Sequence, residues 1–160
     1  MEEEKFKNLP LRNGVGIIVL NNLNKVFVAK RIDNPGNFWQ MPQGGVDVGE
    51  DFLTAAYREL YEETSIKNVK LIKELKGTLT YELPKHLLGK IWKGKYRGQK
   101  QKWFLMKYLG KDEEINIKTK KPEFLDWKWI EIDALTDVAV DFKFNVYKDL
   151  KKEIQKFLID

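Results

Sequence analysis

Residues 44–66 read GGVDVGEDFLTAAYRELYEETSI, and the rest of the chain is interpreted outward from this stretch. Residues 51–64 contain neither Gly nor Pro. Within them Leu53, Ala56, Tyr57, Leu60 and Thr64 recur at three- and four-residue spacing, which predicts a helix with one apolar face. Glu59, Glu62 and Glu63 stand at i, i+3 and i+4, so a helix projects three carboxylates from one side within about a turn. Like charges this close repel by a few tenths of a kcal/mol per pair on an isolated helix. A divalent cation among them turns that repulsion into binding, and an all-oxygen donor set suits Mg²⁺ or Mn²⁺ rather than zinc. Taken alone, three glutamates also fit a solvated acidic face. The surroundings favour a site. The acidic face is turned away from the Leu53/Leu60 stripe, so the helix can pack on a sheet while the glutamates line a cleft. Arg58 adjoins Glu59 and reaches Glu62 at i+4, while Gly44, Gly45 and Gly49 allow close backbone approach. Glu50 and Asp51 are expected in the first helical turn, where negative charge suits the helix dipole.

Around this helix the chain reads as strands. Residues 14–20 (GVGIIVL) form an apolar run, Asn21 to Asn24 supply turn chemistry, and residues 25–31 (KVFVAKR) alternate, which predicts a hairpin. Residues 34–49 are rich in Pro and Gly and read as loop, with room for a short strand at 38–41. Further strands are expected at 69–76, 78–83, 102–109 and 126–132, the last placing Trp127, Trp129 and Glu131 on one side, with the two tryptophans as sheet and core residues. The end is helical, with Phe144, Tyr147, Leu150, Ile154, Phe157 and Leu158 at helical spacing and Asp141 as N-cap. Strands before, between and after two main helices predict an α/β (α+β) sandwich with a mixed sheet, not a regular parallel crossover array.

Composition narrows the chemistry. A length of 160 residues without repeat or linker predicts a single domain over 1–160. The chain has no Cys, which excludes disulfide scaffolds, thiol catalysis and Cys-ligated metals; its one His, His86, excludes a His-pair metal site and reads as a solvent-exposed loop residue. The charged start MEEEKFKNLP and the lack of a long apolar run predict no membrane association and a cytoplasmic setting. A net charge of +5 tolerates a polyanionic partner.

The helical segment resembles the Nudix box, Gly-x5-Glu-x7-Arg-Glu-U-x-Glu-Glu-x-Gly-U, where U is aliphatic. The matching residues are Gly44, Glu50, Arg58, Glu59, Leu60, Glu62, Glu63 and Ile66, with Ser65 standing where the pattern has Gly. A C-terminal helix position often takes the left-handed conformation, so Ser65 is a stability cost on the order of 1 kcal/mol and touches no metal ligand. The resemblance implies a Nudix α/β/α sandwich whose loop–helix–loop holds Mg²⁺ (or Mn²⁺) over a diphosphate-linked substrate. Glu59, Glu62 and Glu63 would be metal ligands, joined by the carbonyl of Gly44 or Gly45. Arg58 would orient a carboxylate. A carboxylate such as Glu63 would take a proton from metal-bound water, with cleavage inside a pyrophosphate linkage.

Residues 39–45 (WQMPQGG), 81–85 (YELPK), 98–105 (GQKQKWFL), 122–124 and 141–147 (DFKFNVY) resemble one Nudix branch, the bacterial RNA pyrophosphohydrolases, also known as dinucleoside polyphosphate hydrolases or invasion-associated proteins. By that resemblance Glu123 joins the metal site, with an exposed loop carboxylate as its plain alternative. Arg12, Lys30, Arg31, Gln43, Gln99 and Lys100 would meet phosphates, while Phe142 and Lys143 would hold a base; core packing explains Phe142 equally well. Between Pro84 and Lys102 lie seven Lys/Arg and no Asp or Glu, with Trp92 and Tyr96 interleaved, which predicts a loop that neutralises a triphosphate and offers a stacking face. A solvated basic loop is its alternative. The expected activity is removal of pyrophosphate from triphosphorylated 5′ RNA ends, leaving the monophosphate that feeds mRNA decay. The rivals are hydrolysis of diadenosine tetra- to hexaphosphates and an inactive RNA- or nucleotide-binding module. No obligate protein partner is expected.

Overall fold

The computed structural model describes residues 6–33 and 36–159, so the first residues, Asp160 and a small part of the loop expected from residue 34 onward lie outside the described residues. The elements run β1 (Leu11–Leu20), β2 (Val26–Arg31), β3 (Gln43–Gly45), α1 (Phe52–Thr64), β4 (Val69–Glu74), β5 (Leu79–Glu82), β6 (Gly98–Tyr108), β7 (Phe124–Ile130), α2 (Leu135–Val138) and α3 (Phe144–Ile159). The seven strands form one mixed sheet in the order β4-β6-β1-β2-β7, with β3 on β1 and β5 on β6. β6 runs parallel to β1 along its whole length, and the other pairings are antiparallel.

Strand alternation builds a core on each face of this sheet. Val15, Ile17 and Val19 pack with Phe27, Phe104 and Met106 beneath Ala55, Ala56 and Leu60 of α1. Ile18, Leu20, Val26, Trp103 and Leu105 meet Tyr147, Leu150 and Ile154 of α3 on the opposite face. The result is the expected α/β/α sandwich. β1 and β6 are covered on both sides and read as continuous apolar runs, which is why their interiors were legible.

One departure from regular pairing builds the site. β1 and β2 pair antiparallel at Leu20 and Val26, as the hairpin predicts, and the segment before α1 fills the sheet further along. Gln40 exchanges backbone hydrogen bonds of 2.8 Å with Ala29, Ile17 donates to the Pro42 carbonyl at 2.9 Å, and β3 pairs with Gly14 to Gly16. The strand in this region is therefore Gln43–Gly45, with Gln40 a single bridge, rather than a strand at 38–41.

Several boundaries shift for identifiable reasons. β6 begins at Gly98, before its apolar run, because Gly98 to Gln101 pair with both β1 and β5. β7 ends at Ile130, so Trp127 and Trp129 pack on the α1-side core as expected while Glu131 lies beyond the strand. Asp51 is the N-cap of α1, accepting from the Thr54 N–H at 2.7 Å; neither it nor Glu50 occupies the first turn. Tyr57 is exposed, and Ala55 and Glu63 take the buried positions on α1 instead. Asp141 does not cap α3, since residues 141–143 form a 3₁₀ turn leading into it. Phe144, Phe157 and Leu158 stay exposed on α3.

Ser65 ends α1 in the left-handed conformation, φ 65° and ψ 9°, with its N–H donating to the Tyr61 carbonyl. Its hydroxyl also donates to the Asn116 carbonyl at 2.9 Å. Ser65→Gly removes the Cβ penalty and an exposed hydrogen bond together, whereas Ser65→Ala removes only the bond. The glycine variant should therefore be more stable than the alanine variant by roughly 1 kcal/mol in urea unfolding. An alanine variant as stable as the glycine one would mean that position 65 is not held left-handed.

Candidate active site

Beside β3 and α1 a cleft of about 870 Å³ opens, its acidic lining made by Glu59, Glu63 and Glu123 with Gly44 and Gly45, and Trp39, Gln40, Phe142 and Lys143 lining it too. Arg12 and Arg31 line it as well. Its acidic wall depends on Arg58. That guanidinium grips Glu50 with two hydrogen bonds of 2.8 and 2.9 Å, and donates to the Gly45 carbonyl at 2.9 Å, Glu59 at 2.9 Å and Glu62 at 3.2 Å. The Arg58 hydrogen bonds, helped by the Asp47 N–H, hold the Glu50 carboxyl down to about 2. The same side chain thus fastens the 44–50 loop to the helix and orients Glu59. The expected Arg58–Glu62 contact forms, and the larger grip on Glu50 lies outside what helical spacing reveals.

Glu63 has the opposite environment. It is buried at 4 % exposure and its Oε2 has no hydrogen-bond partner. Burial, then the charges of Glu123 and Glu59, push its carboxyl well above the usual range. Burial also raises Glu59 despite Arg58 beside it. Gly44 lies against the Glu59 carboxyl so closely that any side chain there would collide with it, which gives that glycine a steric reason. Glu62 is largely exposed and does not line the cleft, so the three helix glutamates do not face one way as expected. Among the described residues no three acidic or histidine side chains converge into a ready-made ion cage. The orphaned buried oxygen of Glu63, with Glu59 and Glu123 near enough to raise its pKa, is nevertheless the all-oxygen chemistry that a hard divalent ion fits.

The expected substrate contacts divide. Arg12, Arg31, Gln43, Phe142 and Lys143 line the cleft. Arg31 is committed to Asp33 through hydrogen bonds of 2.7 and 2.9 Å. Gln43 is held from behind, donating to the Tyr81 hydroxyl at 3.3 Å and accepting from Gln101 at 3.1 Å. Phe142 serves both readings, packing on the core and sitting 5.6 Å from the Tyr81 ring at the cleft wall. Lys143 is buried, with Nζ 3.4 Å from the Gln40 amide oxygen, and burial brings its ammonium down to about 7.

Lys30, Gln99 and Lys100 do not line the cleft. Lys30 lies over the Trp39 ring, 4.8 Å from its centre. Gln99 and Lys100 are successive strand residues and point to opposite faces. Gln99 is fully buried, accepting from Tyr81 at 3.2 Å and Gln101 at 2.8 Å, and Lys100 is exposed. The basic stretch is corrected too: Pro84, His86, Leu87, Ile91 and Trp92 line the cleft, and none of its seven cations does. Arg97 is tied to Glu82 at 2.8 Å, and Lys102 lies beside Gly77 and Glu74. His86 is exposed as expected, at the cleft rim. Sequence reasoning gave no role to Asp33, and quoted Trp39 and Gln40 only as part of the 39–45 resemblance without assigning them to the site.

Glu63 keeps its proton in the fold to a higher pH than in the unfolded chain, so the stability of its neutral form is present in acid and lost as pH rises past the raised value. Glu63→Gln fixes the neutral form. Without metal, the variant should melt above the parent at about pH 7.5, with the gap closing near pH 4. A variant that melts below the parent at both pH values would mean that the ionised carboxylate is well accommodated.

A profile of the NUDIX domain matches residues 10–150. The RNA pyrophosphohydrolase of Pelagibacter ubique (strain HTCC1062) is 72 % identical over 151 residues, 94 % of this chain and 96 % of that protein. The RNA pyrophosphohydrolase of Rhodospirillum rubrum is 46 % identical over 151 residues, 94 % of this chain and 91 % of its own. Among solved structures, the E. coli dihydroneopterin triphosphate pyrophosphohydrolase superposes with a TM-score of 0.71 at 23 % identity, over 94 % of this chain and 98 % of that one. A C. elegans Ap4A hydrolase complex gives 0.66 at 21 % identity, covering 91 % and 98 %. The structural matches establish a shared fold, and the profile with the two sequence relatives places the chain in the Nudix hydrolase family.

Proposed function

We propose that the chain is an RNA pyrophosphohydrolase that removes pyrophosphate from triphosphorylated 5′ ends of RNA and leaves the monophosphate. The observation that carries the chemistry is the buried Glu63 carboxylate, whose Oε2 has no hydrogen-bond partner, set in one cleft with Glu59, Glu123 and the cations Arg12, Arg31 and Lys143. The substrate class is supported by the 72 % identical relative of that name, matched across nearly its whole length.

Glu59, Glu62, Glu63 and Glu123, with the Gly44 carbonyl, would be the donor set for Mg²⁺ or Mn²⁺, Glu62 lying one turn from Glu59 on the exposed side of α1. When bound, the metal acidifies a water and neutralises charge on the leaving phosphates. Glu63 would take the proton of the attacking water as its oxygen bonds to phosphorus and the P–O bond to the leaving pyrophosphate breaks. Arg58 keeps Glu59 and the 44–50 loop in register throughout. Arg12 holds the polyphosphate; Arg31 exchanges Asp33 for it; Gln43, fixed by Tyr81 and Gln101, donates from the cleft floor. Phe142 and Lys143 hold a base near the 5′ end. Among the described residues no helix is long and apolar enough to cross a membrane. The cytoplasm, where RNA 5′ ends arise, is the proposed compartment.

Glu63→Gln should fold and lose about a hundredfold or more in turnover, the size of metal and general-base effects. The discriminating assay follows products from triphosphorylated RNA and diadenosine pentaphosphate at matched concentrations with Mg²⁺. Pyrophosphate release from RNA should dominate. Faster turnover of the dinucleotide would make it the substrate, and no turnover of either would leave a binding module.

A further inference from the structure

Four arginines serve the chain, and three have their donors occupied. Arg31 is on Asp33, Arg58 on Glu50, Glu59, Glu62 and the Gly45 carbonyl, and Arg97 on Glu82 and the Leu9 carbonyl. Arg12 differs. It lies over the Trp92 ring, 5.2 Å from its centre, and packs so tightly on Gly45 that any side chain there would strike it. Among the described residues no carboxylate or carbonyl accepts a hydrogen bond from its guanidinium. A ring holds a guanidinium through its face, and so fixes the group without using its N–H donors.

The backbone that presents this ring is unusual. Trp92 and Lys93 adopt φ of 52° and 58°, and Gly94 follows at 71°. Successive left-handed residues other than glycine are uncommon, and a bulky aromatic there is held by its surroundings. The turn is fastened by backbone bonds from Gly94 to Ile91 and from Lys95 to Trp92, and the loop is tied to the N-terminal segment where Arg97 N–H donates to the Pro10 carbonyl. Tyr96 adds an edge contact to the Trp92 ring at 6.2 Å.

We propose that Trp92 is a positioning residue: its ring holds the Arg12 guanidinium at the cleft with its donors free to receive a polyphosphate. The inference rests on the proposed role of Arg12 in phosphate binding. It assigns the loop a part that its lysines, outside the cleft, do not play, and it makes the aromatic residue at 92 a requirement for tight polyphosphate capture.

A double-mutant cycle separates this from direct stacking on substrate. The dissociation constant of inorganic tripolyphosphate is measured by calorimetry for the parent, Trp92→Leu, Arg12→Gln and the double variant. Leucine keeps apolar bulk and the same backbone demand while losing the π face. Trp92→Leu should weaken binding roughly three- to tenfold in the parent, in line with a cation–π contact, and have no effect once Arg12 is gone. On triphosphorylated RNA the loss should appear in KM with kcat little changed, and Trp92→Phe should restore most of it. If Trp92→Leu fails to fold, Trp92→Phe carries the same cycle, with about a twofold effect that disappears in the Arg12→Gln background. Equal losses with and without Arg12, or an Arg12→Gln variant that binds tripolyphosphate as the parent does, would overturn the proposal. Coupled losses in a protein that leaves RNA intact would keep the positioning role and discard the RNA substrate.

Discussion

Everything in the cleft follows from how one guanidinium distributes its hydrogen bonds. Arg58 takes Glu50 in a two-pronged grip, the Gly45 carbonyl, and single contacts to Glu59 and Glu62. These bonds tie the loop that enters α1 to the helix itself, and so set how far the helix stands from β3. They also neutralise the carboxylates that can be neutralised from inside the protein. Glu63 lies one turn beyond Glu59, on the buried side of the helix, and is left out. Burying its Oε2 with no hydrogen-bond partner is a local cost that a merely structural helix would avoid.

Positive charge around the cleft follows the same division between occupied and reserved donors. Arg31 is satisfied by Asp33 when the cleft holds no phosphate, so a polyphosphate must displace a carboxylate to reach it. Lys143 is buried against Gln40, and its lowered pKa leaves its charge responsive to whatever anion enters. Arg12 keeps its donors unspent against a ring and a glycine. A polyphosphate therefore meets three cations in three states of readiness, with Arg12 the first available.

The sequence showed the helix, its glutamates and the buried strands, because the continuous apolar runs of β1 and β6 and the spacing of Glu59, Glu62 and Glu63 are strong local signals. It was less informative wherever a side chain's direction depends on a strand's start. Gln99 and Lys100 sit side by side in a polar run, yet β6 already includes them and sends one into the core and the other to solvent. The basic loop misled for a related reason: charge shows that a segment meets water, not which way its lysines point. Its apolar and aromatic residues face the cleft instead. Asp51 and Glu50 look alike as acidic residues near a helix start, but one caps the helix and the other reaches forward to Arg58. Ser65 was legible because a helix end has few conformations to choose from, and the left-handed one was found there.

The central claim is that the buried Glu63 carboxylate, whose Oε2 has no hydrogen-bond partner in the protein, is compensated by a divalent cation. Calorimetric titration of Mn²⁺ into the substrate-free protein, beside the Glu63→Gln variant, tests it most directly. The account predicts saturable binding in the parent and its loss, or a shift to far weaker affinity, in the variant. Equal Mn²⁺ affinity in the two proteins would contradict it.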